Sequence, residues 1–277
     1  MSNKFELLAR WGYAARGVVY VILGAIALTG ASSAAGGDTS TEGALSALHQ
    51  QPFGRVLLAA VAIGLVGHVL WRFAQGFLDA DGKGRGMKGY VARAGYVAAG
   101  LANLSLAGAA FSLVLANGGS SGSSGEVGIT AWLMQQPFGR ILVGVVGLTI
   151  IAAGLVQAWR GISGKYREQV KLPREHEGSL HPLSVFGLAA RGVLLAITGM
   201  FFIFAALTVD PNQSGGLAEG LEWIRQLPFG PYLYGLAAAG LVSFGLYSFI
   251  EGRYRVVHAP DAGDVKRAAV HAAGARL

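Results

Sequence analysis

Six apolar stretches divide the chain, near residues 11–31, 53–77, 90–116, 139–161, 184–208 and 230–252. A helix rises about 1.5 Å per residue, so roughly 20 residues cross a hydrocarbon core of about 30 Å, and each stretch is long enough. Helices that satisfy their own backbone polar groups are one of two ways a chain can span lipid. The pattern therefore predicts an all-α integral membrane protein with six transmembrane helices. Composition agrees, because 53% of the 277 residues are hydrophobic and 13% are charged, about half the charged share of a soluble domain. The 43 glycines are more than twice the usual share of about 7%, as close helix packing in a bilayer favours.

The connections alternate in charge. Those after the first, third and fifth stretches (GASSAAGGDTSTEG, NGGSSGSSGE, VDPNQSGGLAEG) are Gly/Ser-rich and acidic, and Arg225 is their one base outside the span ends. Lys4, Arg10, Lys83, Arg85, Lys88, Lys165, Arg167, Lys171 and Arg174 lie on the other side, with five more bases from Arg253 onward. Basic residues mark the cytoplasmic side, so both termini are expected there and the net charge of +7 calls for no nucleic acid. The first stretch is read as retained, because the third and fifth occupy the same place in later repeats and cannot be cleaved signals. Cysteine is absent, which excludes disulfides, iron–sulfur clusters and thiolate zinc sites.

The chain repeats itself. QPFGR stands at 51–55 and at 136–140, and LPFGP at 227–231. Counting 24 residues from Pro52, Pro137 and Pro228 reaches Gly76, Gly161 and Gly252, each preceded by a polar residue: Gln75, Arg160 or Glu251. Upstream, GYAARG, GYVARA and GLAARG place Arg16, Arg93 and Arg191 in register. Four landmarks in one order, three times, define a tandem triplication. Repeat 1 covers 1–80, repeat 2 covers 81–165, repeat 3 covers 180–256, and 257–277 form a cytoplasmic tail. Each unit reads as helix, outer loop, short interfacial helix, helix. Two spans per unit keep the copies parallel, so an axis along the membrane normal can relate them, and quasi-threefold closure is the natural arrangement, with an open row as the alternative.

The PFG motif reads as a re-entry corner. Proline suits a first helical turn, where its missing N–H would lack a partner. Phe53, Phe138 and Phe229 would anchor the turn, and the following glycine would admit a neighbouring backbone. Arg55 and Arg140 oppose the helix macrodipole there, so they read either as anchors to lipid phosphate or as partners of acidic loop residues such as Glu42, Glu126 or Glu222.

On these residues, the threefold GYAAR/PFGR hairpin pattern resembles bacterial membrane proteins grouped as domain-of-unknown-function family 1206. The resemblance runs to about residue 256. It implies three two-helix units, six spans and the bacterial cytoplasmic membrane, and no assigned activity.

Candidate chemistry is sparse. Arg16, Arg93 and Arg191 would form a cationic ring for an anion, a lipid headgroup or the Glu251 carboxylate, or would each snorkel to the headgroups. His68 is the one histidine inside a span, with Ala153 and Phe244 as its equivalents, and a single imidazole makes a poor metal or haem site. Asn103 and Gln157 are the remaining strongly polar groups at depth and read as helix-joining residues. The G-x-S-x-G at 118–122 and the glycines of GKGRGMKG at 82–89 lack the strand contexts that a hydrolase elbow or nucleotide loop requires. No catalytic residue, metal or cofactor is expected. The leading expectation is a non-enzymatic scaffold or accessory subunit packing against membrane lipids or other membrane proteins. The alternative is a small channel or uncoupled transporter with a pathway between the repeats near the arginine ring.

Overall fold

The computed structural model describes residues 2–32, 45, 48–50, 54–82, 84, 86–115, 125–173, 175 and 177–255. Pro52, Phe53 and the tail over 257–277 lie outside them. The described residues form helices and no strand. The long ones are α1 (Ser2–Ser32), α2 (Gly54–Phe77), α3 (Met87–Leu115), then, after the short α4 (Gly125–Met134), α5 (Gly139–Ile162) and α6 (Glu177–Thr208). A second short helix, α7 (Leu217–Arg225), precedes the long α8 (Gly230–Tyr254). Among the described residues, five helices are long and apolar enough to cross a membrane: α1 over Arg10–Thr29, α2, α5, α6 and α8. The remaining expected stretch coincides with the 29-residue α3.

Packing sets the lateral order α3, α2, α1, α8, α6, α5. The most extensive seams, α5 with α6, α1 with α8 and α2 with α3, join different repeats. Hairpin partners also pack in the first and third repeats, as α1 with α2 and α6 with α8. The second repeat differs: α3 and α5 stand at the two ends of the row and do not pack along each other.

Glycine makes two of the seams. A Cβ on Gly154 would lie 2.5 Å from the Gly192 carbonyl oxygen, and one on Gly147 would lie 2.8 Å from that of Gly199. A Cβ on Gly17 would lie 2.9 Å from the Gly245 carbonyl oxygen. Real Cβ atoms do not come so close to a backbone oxygen, so these backbones touch only because no side chain intervenes. The seven-residue spacing of Gly147 and Gly154, and of Gly192 and Gly199, keeps the small residues on one face.

Toward the loop-bearing end, the centre is filled. Val19, Leu23 and Ala27 of α1 meet Leu58, Leu65, Ala107, Ala110, Leu194, Ile197, Leu221, Leu241, Leu45 and Leu48 in one apolar cluster. The polar groups gather at the opposite end, where the inter-repeat linkers run. There Tyr166 of the second linker is buried against Tyr247 and hydrogen-bonds His181 at 2.7 Å. Val170 pairs with Arg255 in an isolated antiparallel bridge.

Candidate functional site

The site grows from a register within each even span. Four residues before the closing glycines Gly76, Gly161 and Gly252 stand Arg72, Gln157 and Ser248, and one residue before them stand Gln75, Arg160 and Glu251. Positions three apart share a helix face, so each even span presents a polar pair at its linker end. A register arginine from another repeat reaches the linker end of each even span, meeting the polar pair itself in two of the three cases. Arg16 of repeat 1 donates to Ser248 Oγ at 3.1 Å and Glu251 Oε2 at 2.6 Å in repeat 3. Arg191 of repeat 3 donates to Gln157 Oε1 of repeat 2 at 2.7 Å and to the Tyr20 hydroxyl at 3.0 Å. Arg93 of repeat 2 donates to the Gly76 and Phe77 carbonyls of repeat 1 at 2.7 and 2.9 Å.

The three guanidinium groups thus share no hydrogen-bond partner, and each is directed to a different even span. Arg16 and Arg191 do meet at one ring: they lie 5.0 and 4.6 Å from the centroid of Phe244. A cation over an aromatic face is attracted by the ring quadrupole, so Phe244 links the two latches. The Arg93 bonds also cap carbonyls at the end of α2, where a cation complements the macrodipole.

Around Glu251 the latch becomes an ion chain. Arg16 is 8% exposed and Glu251 6%. The other Glu251 oxygen accepts from Arg255, which pairs with Asp81 at 3.1 Å. Asp81 closes the chain by accepting from Gln75 and from the Tyr96 hydroxyl, each at 2.9 Å. One network thereby joins α1, the end of α8, the first linker, α2 and α3. Burial alone would push the Asp81 carboxyl up, yet Arg255 beside it and the hydrogen bonds from Gln75 and Tyr96 hold it below the usual carboxylate range. A buried pair is tolerated when its remaining lone pairs are satisfied in this way.

His68 is 1% exposed. It packs edge-on to Tyr13 at 5.1 Å, and its Nε2 faces Arg72 at 3.4 Å, a long contact. Its Nδ1 has no hydrogen-bond partner. It sits where α1 crosses α2, because a Cβ on Gly12 would lie 2.7 Å from its backbone. Gly187 meets the Phe244 backbone in the same way in repeat 3. Gln157 joins helices through Arg191, and its Nε2 is buried without a partner. Asn103 does not reach another helix: its amide donates to the Ala99 carbonyl one turn back at 2.7 Å. Among the described residues no His/Cys/Asp/Glu group could hold a metal ion.

The re-entry corners differ from the sequence reading in one respect. α5 and α8 begin at Gly139 and Gly230, so Pro137 and Pro228 sit in the preceding turn, outside the first helical turn. Phe138 and Phe229 cap the helices in the left-handed region, with φ of 61° and 62°. That conformation is strained for a bulky side chain, and both rings point outward, 79% and 78% exposed. The tight turn brings the end of each short segment onto the glycine. A Cβ on Gly54, Gly139 or Gly230 would collide with the carbonyl oxygen of His49, Leu133 or Arg225. Arg55 donates to the Val114 carbonyl at the end of α3 at 3.2 Å, a favourable place for a cation. Arg140 is exposed and makes no such bond.

Sequence reasoning missed Ser248, Asp81 and Arg255. The first was in the repeat register, four residues before Gly252; the other two lie outside it, and only the fold brings them together. Comparison with known proteins finds the pattern described as Domain of Unknown Function (DUF1206) three times, at residues 11–79, 94–164 and 186–255. A Bacillus subtilis (strain 168) protein, described as uncharacterized protein YxxB, is 30% identical over 249 residues, covering 89% of this chain and 90% of its own length. No solved structure matches.

Proposed function

We propose, for a chain that belongs to the Domain of Unknown Function family DUF1206, a non-catalytic role as a six-span scaffold or accessory subunit of a bacterial cytoplasmic membrane. α3 is the sixth span, both termini are cytoplasmic, and the latches lie at the cytoplasmic ends of the helices. The three repeats follow one another around an axis along the membrane normal, with the second hairpin opened. Membrane lipids and other membrane proteins are the partners.

The observation that carries this reading is the use made of the deep polar residues. Arg16, Arg93, Arg191, Gln157 and Glu251 each hold one repeat to another, the use expected of polar groups between helices in a low-dielectric setting. The filled apolar centre supports packing over a pathway. Affinity purification at endogenous level in a mild detergent tests the subunit role: a reproducible stoichiometric membrane partner is expected, and repeated recovery of the chain alone refutes it. The absence of native cysteine permits a topology test with single substitutions. Lys88→Cys and Lys165→Cys should label only from the cytoplasmic face, and Asn212→Cys only from the outer one. Labelling of Lys88→Cys and Asn212→Cys from one face would refute the six-span arrangement.

A further inference from the structure

Tyr13 of α1 meets His68 and Trp71 of α2 at a corner where all three side chains are buried, and the donors there outnumber the acceptors. Arginine carries donors only. The contact of Arg72 Nε with His68 Nε2 at 3.4 Å therefore makes Nε2 the accepting nitrogen and leaves the ring proton on Nδ1, which is buried without a partner. Indole also only donates. The Tyr13 hydroxyl takes the Trp71 N–H at 3.1 Å, so it accepts that bond and keeps its own proton, for which no described residue is the acceptor. Arg255, whose guanidinium carbon lies 5.3 Å from the Tyr13 ring centroid, adds a buried Nε–H that is also unpartnered.

Charge at the corner is in excess of one sign. The charges acting most strongly on His68 are those of Arg72, Arg16, Arg255 and Arg191. Two carboxylates answer them: Glu251 pairs with Arg16 and Arg255, and Asp81 with Arg255. Arg72 is held by Gln75, His68 and the Tyr96 ring, and Arg191 by Gln157, Tyr20 and the Phe244 ring, all of them neutral. Surplus cation in a low-dielectric interior favours a counter-ion.

A water molecule would bring its own hydrogens to a place whose acceptors are taken, Glu251 by two arginines and Ser248 Oγ by Arg16. An anion only accepts, so it answers the spare donors and the surplus charge together. Size narrows the choice. Tyr13, His68 and Trp71 are 0%, 1% and 2% exposed, and an interior packed so closely holds few spaces larger than a water molecule, which suits a halide and excludes a phosphate or a lipid headgroup.

We infer that this corner binds one small inorganic anion of the chloride class. His68 Nδ1–H and the Tyr13 hydroxyl are its hydrogen-bond donors, and Arg16 and Arg255, 5.1 and 5.3 Å from the Tyr13 ring centroid, are its counter-charges. The site goes beyond the scaffold reading and does not depend on what the chain packs against.

The test is the thermal midpoint of the full chain in detergent, read by tryptophan emission while sodium gluconate is exchanged for sodium chloride. Constant ionic strength holds general screening fixed. The wild-type midpoint should rise by about 3–6 °C for each tenfold increase in chloride above its dissociation constant. His68→Phe installs the residue that repeat 3 carries at this register and removes one donor, and Tyr13→Phe keeps the ring and removes the other. Each should weaken binding about tenfold or more and move the rise to correspondingly higher chloride. In crystals grown with bromide, an anomalous peak is expected beside His68 Nδ1. A wild-type midpoint equal in chloride and gluconate overturns the inference. So does a chloride response unchanged in both variants, which would put the ion elsewhere, and so does a scatterer at Nδ1 that bromide leaves unlabelled, which would be water.

Discussion

Glu251→Gln tests the ion chain at its centre. The substitution keeps the side-chain volume and one acceptor oxygen but removes the charge that bridges Arg16 and Arg255. Both cations are nearly fully buried, and Asp81 is the one carboxylate left in the chain. Removing one partner from a buried pair costs about 3–5 kcal/mol, because the remaining charge keeps its desolvation penalty. At about 1.4 kcal/mol per tenfold, that lowers the folded population ratio by roughly two to three and a half orders of magnitude. A chain of this size loses roughly 2–4 °C per kcal/mol, so the midpoint should fall by about 6–20 °C. Tryptophan emission reads it directly, since Trp71 is buried beside Tyr13, to which its indole N–H donates at 3.1 Å. The control is the Arg16→Met, Glu251→Met double variant. Replacing both members of a buried pair by apolar groups is often nearly neutral, so it should recover at least half of the loss. A shift under about 2 °C for Glu251→Gln, or a double variant worse than the single one, would refute the claim that desolvated charge dominates here.

Three further outcomes follow from other parts of the fold. Gly154→Leu should wedge α5 from α6, where even a Cβ would meet the Gly192 carbonyl, costing at least about 2 kcal/mol, while Gly108→Ala, with nothing near its Cβ, should be neutral or stabilise by about 0.5–1 kcal/mol; paired thermal melts check both. Asp81 has its folded pKa below the ordinary 3.8, so its contribution is present above that value and is lost as pH falls through the depressed pKa. Melts across the acid range should therefore show wild type approaching Asp81→Asn at low pH and exceeding it near neutrality. Phe244→Ala removes the ring shared by Arg16 and Arg191 and should cost about 3–5 kcal/mol, more than Phe138→Ala, whose ring is exposed; denaturant or detergent titration compares the two.

Much of the frame was legible because hydrophobic length and spacing are local properties. Each of the six apolar stretches lies on a long helix, four of them within about three residues, while α1 and α6 begin nine and seven residues earlier, and the triplication is written in the register of Pro, Gly and Arg. Glu251 was legible as one possible partner of the arginine set, but which arginine takes it, and what the other two take, was not. Arg16 meets Glu251 235 residues away, and a repeat pattern says which residues are equivalent without saying which copy they face. The corners were misread for a local reason. Proline favours a first helical turn by propensity, but the approach of the Leu133 and Arg225 carbonyls to the following glycines tightens the turn and moves the helix start two residues on. Arg55 resisted a dipole argument applied to its own helix. It is satisfied at the C-terminal end of a neighbouring one.

The second repeat shows how one register yields unequal contacts. At the positions where Gly17 meets Gly245 and Gly192 meets Gly154, the seam of α2 and α3 has Ala94 and Val69, so those backbones lack the paired glycines. The polar pair differs as well. Where Arg16 and Arg191 find Ser248 and Gln157, Arg93 would face Arg72, a like charge. Arg93 turns instead to the carbonyls of Gly76 and Phe77, and Arg72 is taken by the Gln75 side chain at 3.2 Å and the Tyr96 ring. If repulsion sets this choice, Arg72→Gln should let Arg93 adopt the side-chain latch used by Arg191, and Arg93→Gln should then cost more in that background than in wild type. A coupling of about 0.5–3 kcal/mol between the two positions is the range for side chains in contact. A double-mutant cycle read by thermal melts measures it, and a cost of Arg93→Gln that is the same in both backgrounds would show that charge at position 72 does not direct the arginine of the second repeat.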